Sequence, residues 1–416
     1  MTDEPRDHLN LLAPRSMRPK FDYLHREVED LAGTRMSRRA ALGLGGLALL
    51  AAACGGSTNA GGGGNNGAAS QPADALKGKP LEDQLVIYNW SQYDDPSTYK
   101  KFEQLPDEAK AGLKIHETYY SSNDELLAKL HAGGTGYDIV VPSQNAVGEL
   151  IEEGGLMKLD FNLIPNIKNV DPKFLKASYD QTGEYHVIKD FGITMFFWQN
   201  TVVKPSTEPK TMKDFYDLLN ANVSKGRTNV LDGAEEVVPL ASMALGFSAN
   251  TEDQGELDET KKFLLSIRKG VTTISSFGYI NDASAGKIIL SQGWNGDVRR
   301  ILKARQKQGD ITAVIPTEKS EVWADNWCVP ATAPHPVAAH AWINWLLEPT
   351  TAVTEMNYHN YPIPIPAALD QMPASFKNDP MFNVPASYTD NYEYILNPNP
   401  QLVNARTKIY QEFKAA

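Results

Sequence analysis

Acids and aromatic residues stand where apolar segments of this chain end: Trp90 and Tyr93 in "NWSQY", Glu236 in "DGAEEV", Trp294 and Asp297 in "GWNGD", Trp323 and Asp325 in "VWAD", and Tyr361 in "NYPIP". Carboxylates pair with ammonium groups, which cannot be buried unpaired. Aromatic faces cover methylenes and receive cations, at about 0.5–2 kcal/mol per cation–π contact. Residues of these types describe a site for a flexible organic cation. Each also has a plainer alternative. Glu236 suits a helix N-terminus, where acids complement the dipole; Asp325 suits a turn; Trp323 and Trp327 suit a core.

Other chemistries find no support. The histidines His8, His25, His116, His131, His186, His335, His340 and His359 include no pair at metal-ligand helical spacing. The chain has no Gly-x-Ser-x-Gly elbow and no phosphate loop. Tyr119 and Tyr120 suggest paired phenolate ligands, but adjacent strand residues point to opposite faces, so one belongs in the core. No cofactor and no metal are expected. An extracellular α/β enzyme stays as a rival reading, without a nucleophile and base to carry it.

The positioning elements alternate. "QLVIYNW" reads as a strand, and a helix opens at Pro96, a favoured first helical position. "LKIHETYYS" is a second strand. "SNDELLAKLHAGG" is a helix with Ser122 and Glu125 spaced as a capping box. "YDIVVPS" is a third strand, followed by a helix that Gly154 and Gly155 end. This order implies parallel α/β sheets, whose ligands sit beyond the carboxyl ends of the strands. Trp90, Ser91 and Ser143 should therefore line one crevice, with Trp90 and Tyr93 partly wet at its lip. A second α/β pattern starts near Gly192, where "GWNGD" closes a strand and leads into a helix whose Arg299, Arg300, Lys303 and Arg305 read as a solvated face.

At 416 residues the chain suits two domains. Its net charge of −11 argues against nucleic acid. Residues 1–53 read as a leader and export signal: Arg38-Arg39, an apolar stretch from Ala40 to Leu50 too short to span a bilayer, and small residues before Cys54. Residues 54–80 read as a flexible linker, by their Gly, Ser and Asn content. Cys328 reads as a buried small hydrophobe.

Taken in order, "IYNWSQYDDP", "SSNDELLAKLHAGGTGYDIVVPS", "LDGAEEV", "YINDASAGKI", "GWNGDV" and "INWLLEP" resemble the spermidine/putrescine-binding proteins of bacterial ABC transporters. Residues 37–42 resemble a twin-arginine motif, and Ala51 to Cys54 a lipoprotein box, in which Ala51 replaces the usual leucine. The resemblance implies a two-lobed, periplasmic-binding-protein-like fold of type II, each lobe a mainly parallel sheet flanked by helices. Residues 81–192 plus 325–368 would form lobe 1, and 193–324 plus 369–416 lobe 2. It implies ligand contacts from Trp90, Ser91, Tyr93, Ser143, Glu236, Trp294, Asp297, Trp323, Asp325 and Tyr361, with Asp232 a competitor to Glu236 and Asn397 standing loosely where a glutamine is usual. It further implies lipidation at Cys54, a polyamine ligand, a permease and an ATPase as partners, and a monomer tethered outside the cytoplasmic membrane. Gln92, Asn145 and the segment Lys189–Asn200 depart from the family pattern, which leaves open another cationic amine or amino-acid-derived solute. A polyamine sensor is the remaining alternative.

Overall fold

The computed structural model describes residues 76–133, 136–221, 225–276, 278–385 and 391–416. The export signal, Cys54 and most of the linker lie outside the described residues.

Strand β1 (Gln84–Trp90) alternates its buried residues between two cores, Leu85 and Ile87 on one face and Tyr88 on the other. It is flanked in parallel by β2 (Lys114–Tyr120) and β3 (Ile139–Val140). Central parallel strands need cover on both sides, which explains the near-continuous apolar run in its sequence. Asp95 caps α1 (Pro96–Glu103), accepting from the Ser97 amide. Ser122 caps α2 (Asn123–His131) through the Glu125 amide, while the Glu125 carboxylate accepts from the Ser121 amide. Ser143 precedes α3 (Gln144–Glu152). Tyr119 is 51% exposed and Tyr120 is buried, as strand alternation requires.

The second sheet is mixed rather than mainly parallel. In it β6 (Thr273–Ile274), β5 (Thr228–Val230) and β7 (Leu290–Trp294) run parallel, but β4 (Val187–Gln199) pairs antiparallel with β7 and with β8 (Ile311–Val314). The cause is β4 itself. Phe196 and Trp198 face one core while Met195 and Phe197 face another, so its C-terminal half is fully inside the sheet. Its N-terminal half leaves that sheet and pairs antiparallel with β9 (Val322–Trp327), up to Ile193 opposite Val322. Strand β9 then reaches the first sheet through bridges from Val140 to Cys328 and from Ser143 to Asp325. Strands β4 and β9 thus join the two cores, and the change of partner falls at Ile193/Thr194.

After β4 and β9, the chain passes between the two cores a third time, later than residue 369. Met372 and Phe382 pack in the core of the first sheet, whereas Ile395 and Leu402 pack in that of the second. A further correction concerns the basic helix α6 (Asn295–Ala304), numbered after α4 (Ala234–Ala244) and α5 (Tyr279–Ser284). Its Arg299 is half-buried and stacks on Phe376 and Phe382, with Nε on Asp379 at 2.8 Å, and Arg305, just beyond the helix, pairs with Asp310. These two guanidiniums tie loops down instead of facing solvent, while Lys303 is exposed and Arg300 half-buried. Cys328 is fully buried and free.

Candidate functional site

The β4/β9 ladder sets the frame. Asp190 lies opposite Asp325 and Gly192 opposite Trp323, and directly opposed residues share a face. Glu321, one residue before β9, falls on that face by the two-residue period. Its carboxylate accepts from Thr194 Oγ1 at 2.6 Å. Gly192 is needed here. A Cβ would lie 2.3 Å from Trp323 Cζ2 and 2.2 Å from Asn295 Oδ1, so only a bare backbone admits both side chains.

The first sheet contributes Tyr93 and Ser143. Tyr93 is not at a wet lip. It is buried, and its hydroxyl lies against Asp190 Oδ1 and, at 2.6 Å, Asp325 Oδ2. Ser143 Oγ donates to Asp325 Oδ1 at 2.5 Å. Lys189 neutralises one side of this group: its Nζ is 3.1 Å from Asp190, 2.9 Å from Asp94, and 3.7 Å from the centroid of the Tyr93 ring. Asp325 is left with hydroxyl donors. Burial pushes its carboxyl up to about 7, with the Asp190 charge adding to the effect. One phenol proton cannot serve two ionised carboxylates at once, so burial and the Asp190 charge both favour a protonated Asp325.

The second sheet contributes "GWNGD", every residue of which has a task. A Cβ on Gly293 would crowd Val298 and Tyr279. Trp294 Nε1 donates to Glu236 Oε1 at 3.3 Å. Asn295 accepts from the Ile193 amide and donates to the Met381 carbonyl, joining the junction strand to the third passage. A Cβ on Gly296 would lie 2.5 Å from Tyr361 Cε1. Asp297 accepts from the Tyr279 hydroxyl at 2.9 Å and hydrogen-bonds Tyr361. Tyr361 in turn stands edge-on to Trp323 and Tyr93, with centroids 5.0 and 6.1 Å away. This ring touches side chains from both sheets.

Glu236 opens the inward side of α4. Its competitor Asp232 is exposed and takes the Tyr410 hydroxyl, so it does not join the cluster. Burial raises the Glu236 carboxyl well above its ordinary value, helped by Glu321 and Glu235. Burial brings Glu321 up to about 7 and Glu235 up to about 8, and raises Asp297 against the pull of Arg300. Two polar atoms of the cluster are buried without a partner, Glu236 Oε2 and Trp323 Nε1. The first needs a donor, which an ammonium supplies. The second is a donor and needs an acceptor such as water.

Most of the expected residues therefore converge: Tyr93, Ser143, Glu236, Trp294, Asp297, Trp323, Asp325 and Tyr361. Trp90 and Ser91 are half-buried at the end of β1, where the Trp90 indole donates to the Val141 carbonyl at 2.9 Å and packs on Tyr120. Asn397 instead donates to Glu149 at 3.3 Å. Asp190, Lys189, Tyr279 and Glu321 are additions. Period two from Trp323 and Gly192 would have found Glu321 and Asp190; nothing in "YINDAS" marks Tyr279.

Residues 98–384 match the family of bacterial extracellular solute-binding proteins. The chain belongs to that family. This solute-binding protein is 30% identical over 330 residues to a spermidine/putrescine-binding periplasmic protein of Escherichia coli, covering 79% of this chain and 90% of that one. It is 26% identical over 336 residues to a putrescine/cadaverine-binding protein of Pseudomonas aeruginosa, covering 80% and 94%. Among solved structures, a putative spermidine/putrescine ABC transporter protein from Listeria monocytogenes superposes with a TM-score of 0.74 at 28% identity, over 80% of this chain and 99% of that one. No helix of the described residues of the solute-binding protein is long and apolar enough to cross a membrane.

Proposed function

We propose that this protein captures a polyamine outside the cytoplasmic membrane and delivers it to the permease and ATPase of an ABC transporter. The observation that carries this reading is the group of buried carboxyls, Asp325 and Asp297 with Glu236 and Glu321, enclosed by Trp294, Trp323, Tyr93 and Tyr361. An anionic or neutral solute would leave these acids unpaired, at a cost of several kcal/mol. A chain of methylenes and ammoniums pairs the acids and fills the aromatic walls, at about 0.8 kcal/mol per buried CH₂.

Capture works by closure. Residues 81–192 and 325 onward form one lobe, 193–324 and the C-terminal segment the other, and the junction strands β4 and β9 act as the hinge. Tyr361, reaching Trp323, Tyr93 and Gly296 together, senses the closed state. Lipidation at Cys54 tethers the body through residues 54–80. The chain transports and does not catalyse.

Calorimetric titration with putrescine, spermidine and spermine, with glutamate and a neutral sugar as controls, tests the reading. One-to-one binding of an amine supports it. Heat from glutamate or sugar alone would send it to another solute class; binding of a different cationic amine or an amino-acid-derived cation would keep the site and change the cargo.

A further inference from the structure

At the end of the site away from Asp325, and given the polyamine reading above, two acids stand together without a cation among the described residues. Glu236 and Glu321 are near enough that each carboxyl acts on the other's proton. Each is already fastened by one neutral donor: Trp294 Nε1 holds Glu236 Oε1, and Thr194 Oγ1 holds Glu321 Oε2. The other oxygen of Glu236 is buried without a donor. The charges acting on the pair, from Glu235 and Asp325, are negative as well. Two carboxyls held in contact either share one proton or enclose a cation. Lys189 cannot serve, because Asp94 and Asp190 already hold it at the opposite end.

Spacing gives the ligand its length. Glu321 and Asp325 are four residues apart on one strand face, about 13 Å between Cα atoms. Trp323 stands between them, buried against Gly192. At about 1.25 Å of advance per single bond, a four-carbon diamine spans roughly 6 Å between nitrogens and a triamine such as spermidine roughly 11 Å. The longer molecule matches the span from Asp325 to the Glu236–Glu321 pair more closely than the shorter one does.

We propose that Glu321 is a specificity-determining residue, which with Glu236 encloses the far ammonium of a linear triamine and so favours a triamine over a diamine. An ammonium there donates to both carboxylates and displaces the proton they share.

The test is titration calorimetry of the wild-type protein and Glu321→Gln with spermidine and putrescine, repeated in two buffers of different ionisation enthalpy. Wild type should bind spermidine the tighter and release more protons with it. Glu321→Gln keeps the Thr194 hydrogen bond; it should lose ten-fold or more in spermidine affinity and less than three-fold for putrescine, and its ligand-free melting temperature should equal or exceed that of wild type. Equal losses for both amines, or none, with wild-type binding intact would overturn the role of Glu321 and leave the polyamine reading standing. If the variant does not fold, the wild-type proton counts decide, and equal release by the two amines overturns the role. Failure of the wild type to bind either amine removes the underlying reading and this inference with it.

Discussion

The indole of Trp323 lies on the bare backbone of Gly192, at a distance where a Cβ would sit 2.3 Å from Cζ2. The two residues are directly opposed on β4 and β9, one residue from where β4 changes partners. The aromatic wall of the site and the junction between the two cores are thus one contact. Gly192→Ala must push the ring or the strand aside. Overpacking of this kind costs about 1–3 kcal/mol. The expected outcome is a lower melting temperature together with weaker amine binding, read by calorimetry and thermal denaturation on the same sample.

Gly296 makes the parallel case for Tyr361. An added methyl would sit 2.5–2.7 Å from three atoms of that ring, which would have to leave its place beside Asp297 and Trp323. Gly296→Ala is expected to weaken binding by about ten-fold, roughly 1.4 kcal/mol. If affinity is unchanged, Tyr361 is not part of the closed site.

Asp325 is held by Ser143 and Tyr93 but by no cation of its own. Asp325→Asn keeps the shape and removes the charge. Loss of one member of a buried charge pair costs about 2–5 kcal/mol, so amine affinity should fall by about 30-fold or more. Without ligand the variant should be at least as stable as wild type, because a carboxyl that burial penalises is gone. A drop in stability equal to the drop in binding would make the residue structural.

The raised carboxyls give pH dependence a sign. Asp325 and Glu321 at about 7 and Glu235 at about 8 keep protons in the folded state that the unfolded chain has lost above about pH 4.5. The folded state binds more protons across that window, so ligand-free stability should fall as pH rises from about 4.5 to 8. Ammonium binding requires the ionised forms, so amine affinity should rise over the same window. Melting curves and titrations at pH 5, 6, 7 and 8 check both slopes; a parallel trend in the two would contradict the assignment.

Anchoring is tested separately. Cys54→Ser should move the protein from the membrane fraction to the soluble extracytoplasmic fraction without altering amine affinity.

Much of this was legible because local rules governed it. The strand β1, the Asp95 and Ser122 caps and the burial of Tyr120 beside exposed Tyr119 follow from propensity, capping chemistry and strand period. Trp294, Asp297, Trp323 and Asp325 stood out because strand ends in such sheets open on a crevice. Glu321 escaped notice because it lies one residue before its strand, where nothing local distinguishes a loop acid from a ligand. Tyr93 reads as a rim residue from its neighbours, and only its partners Asp190 and Asp325, 97 and 232 residues away, explain why it is buried.

The sequence by itself determined the element types, the alternating order of strands and helices, and which strand ends carry acids and aromatics, since these depend on residues a few positions apart. Tertiary structure alone decided which acids meet. Asp232 turned outward to Tyr410 while Glu236 turned in to Glu321, and Arg299 was stacked on Phe382 rather than left in solvent. The physical reason is that carboxyl chemistry here is set by desolvation and by neighbouring charge, and both are supplied by residues far away in the chain that β4 and β9 bring together.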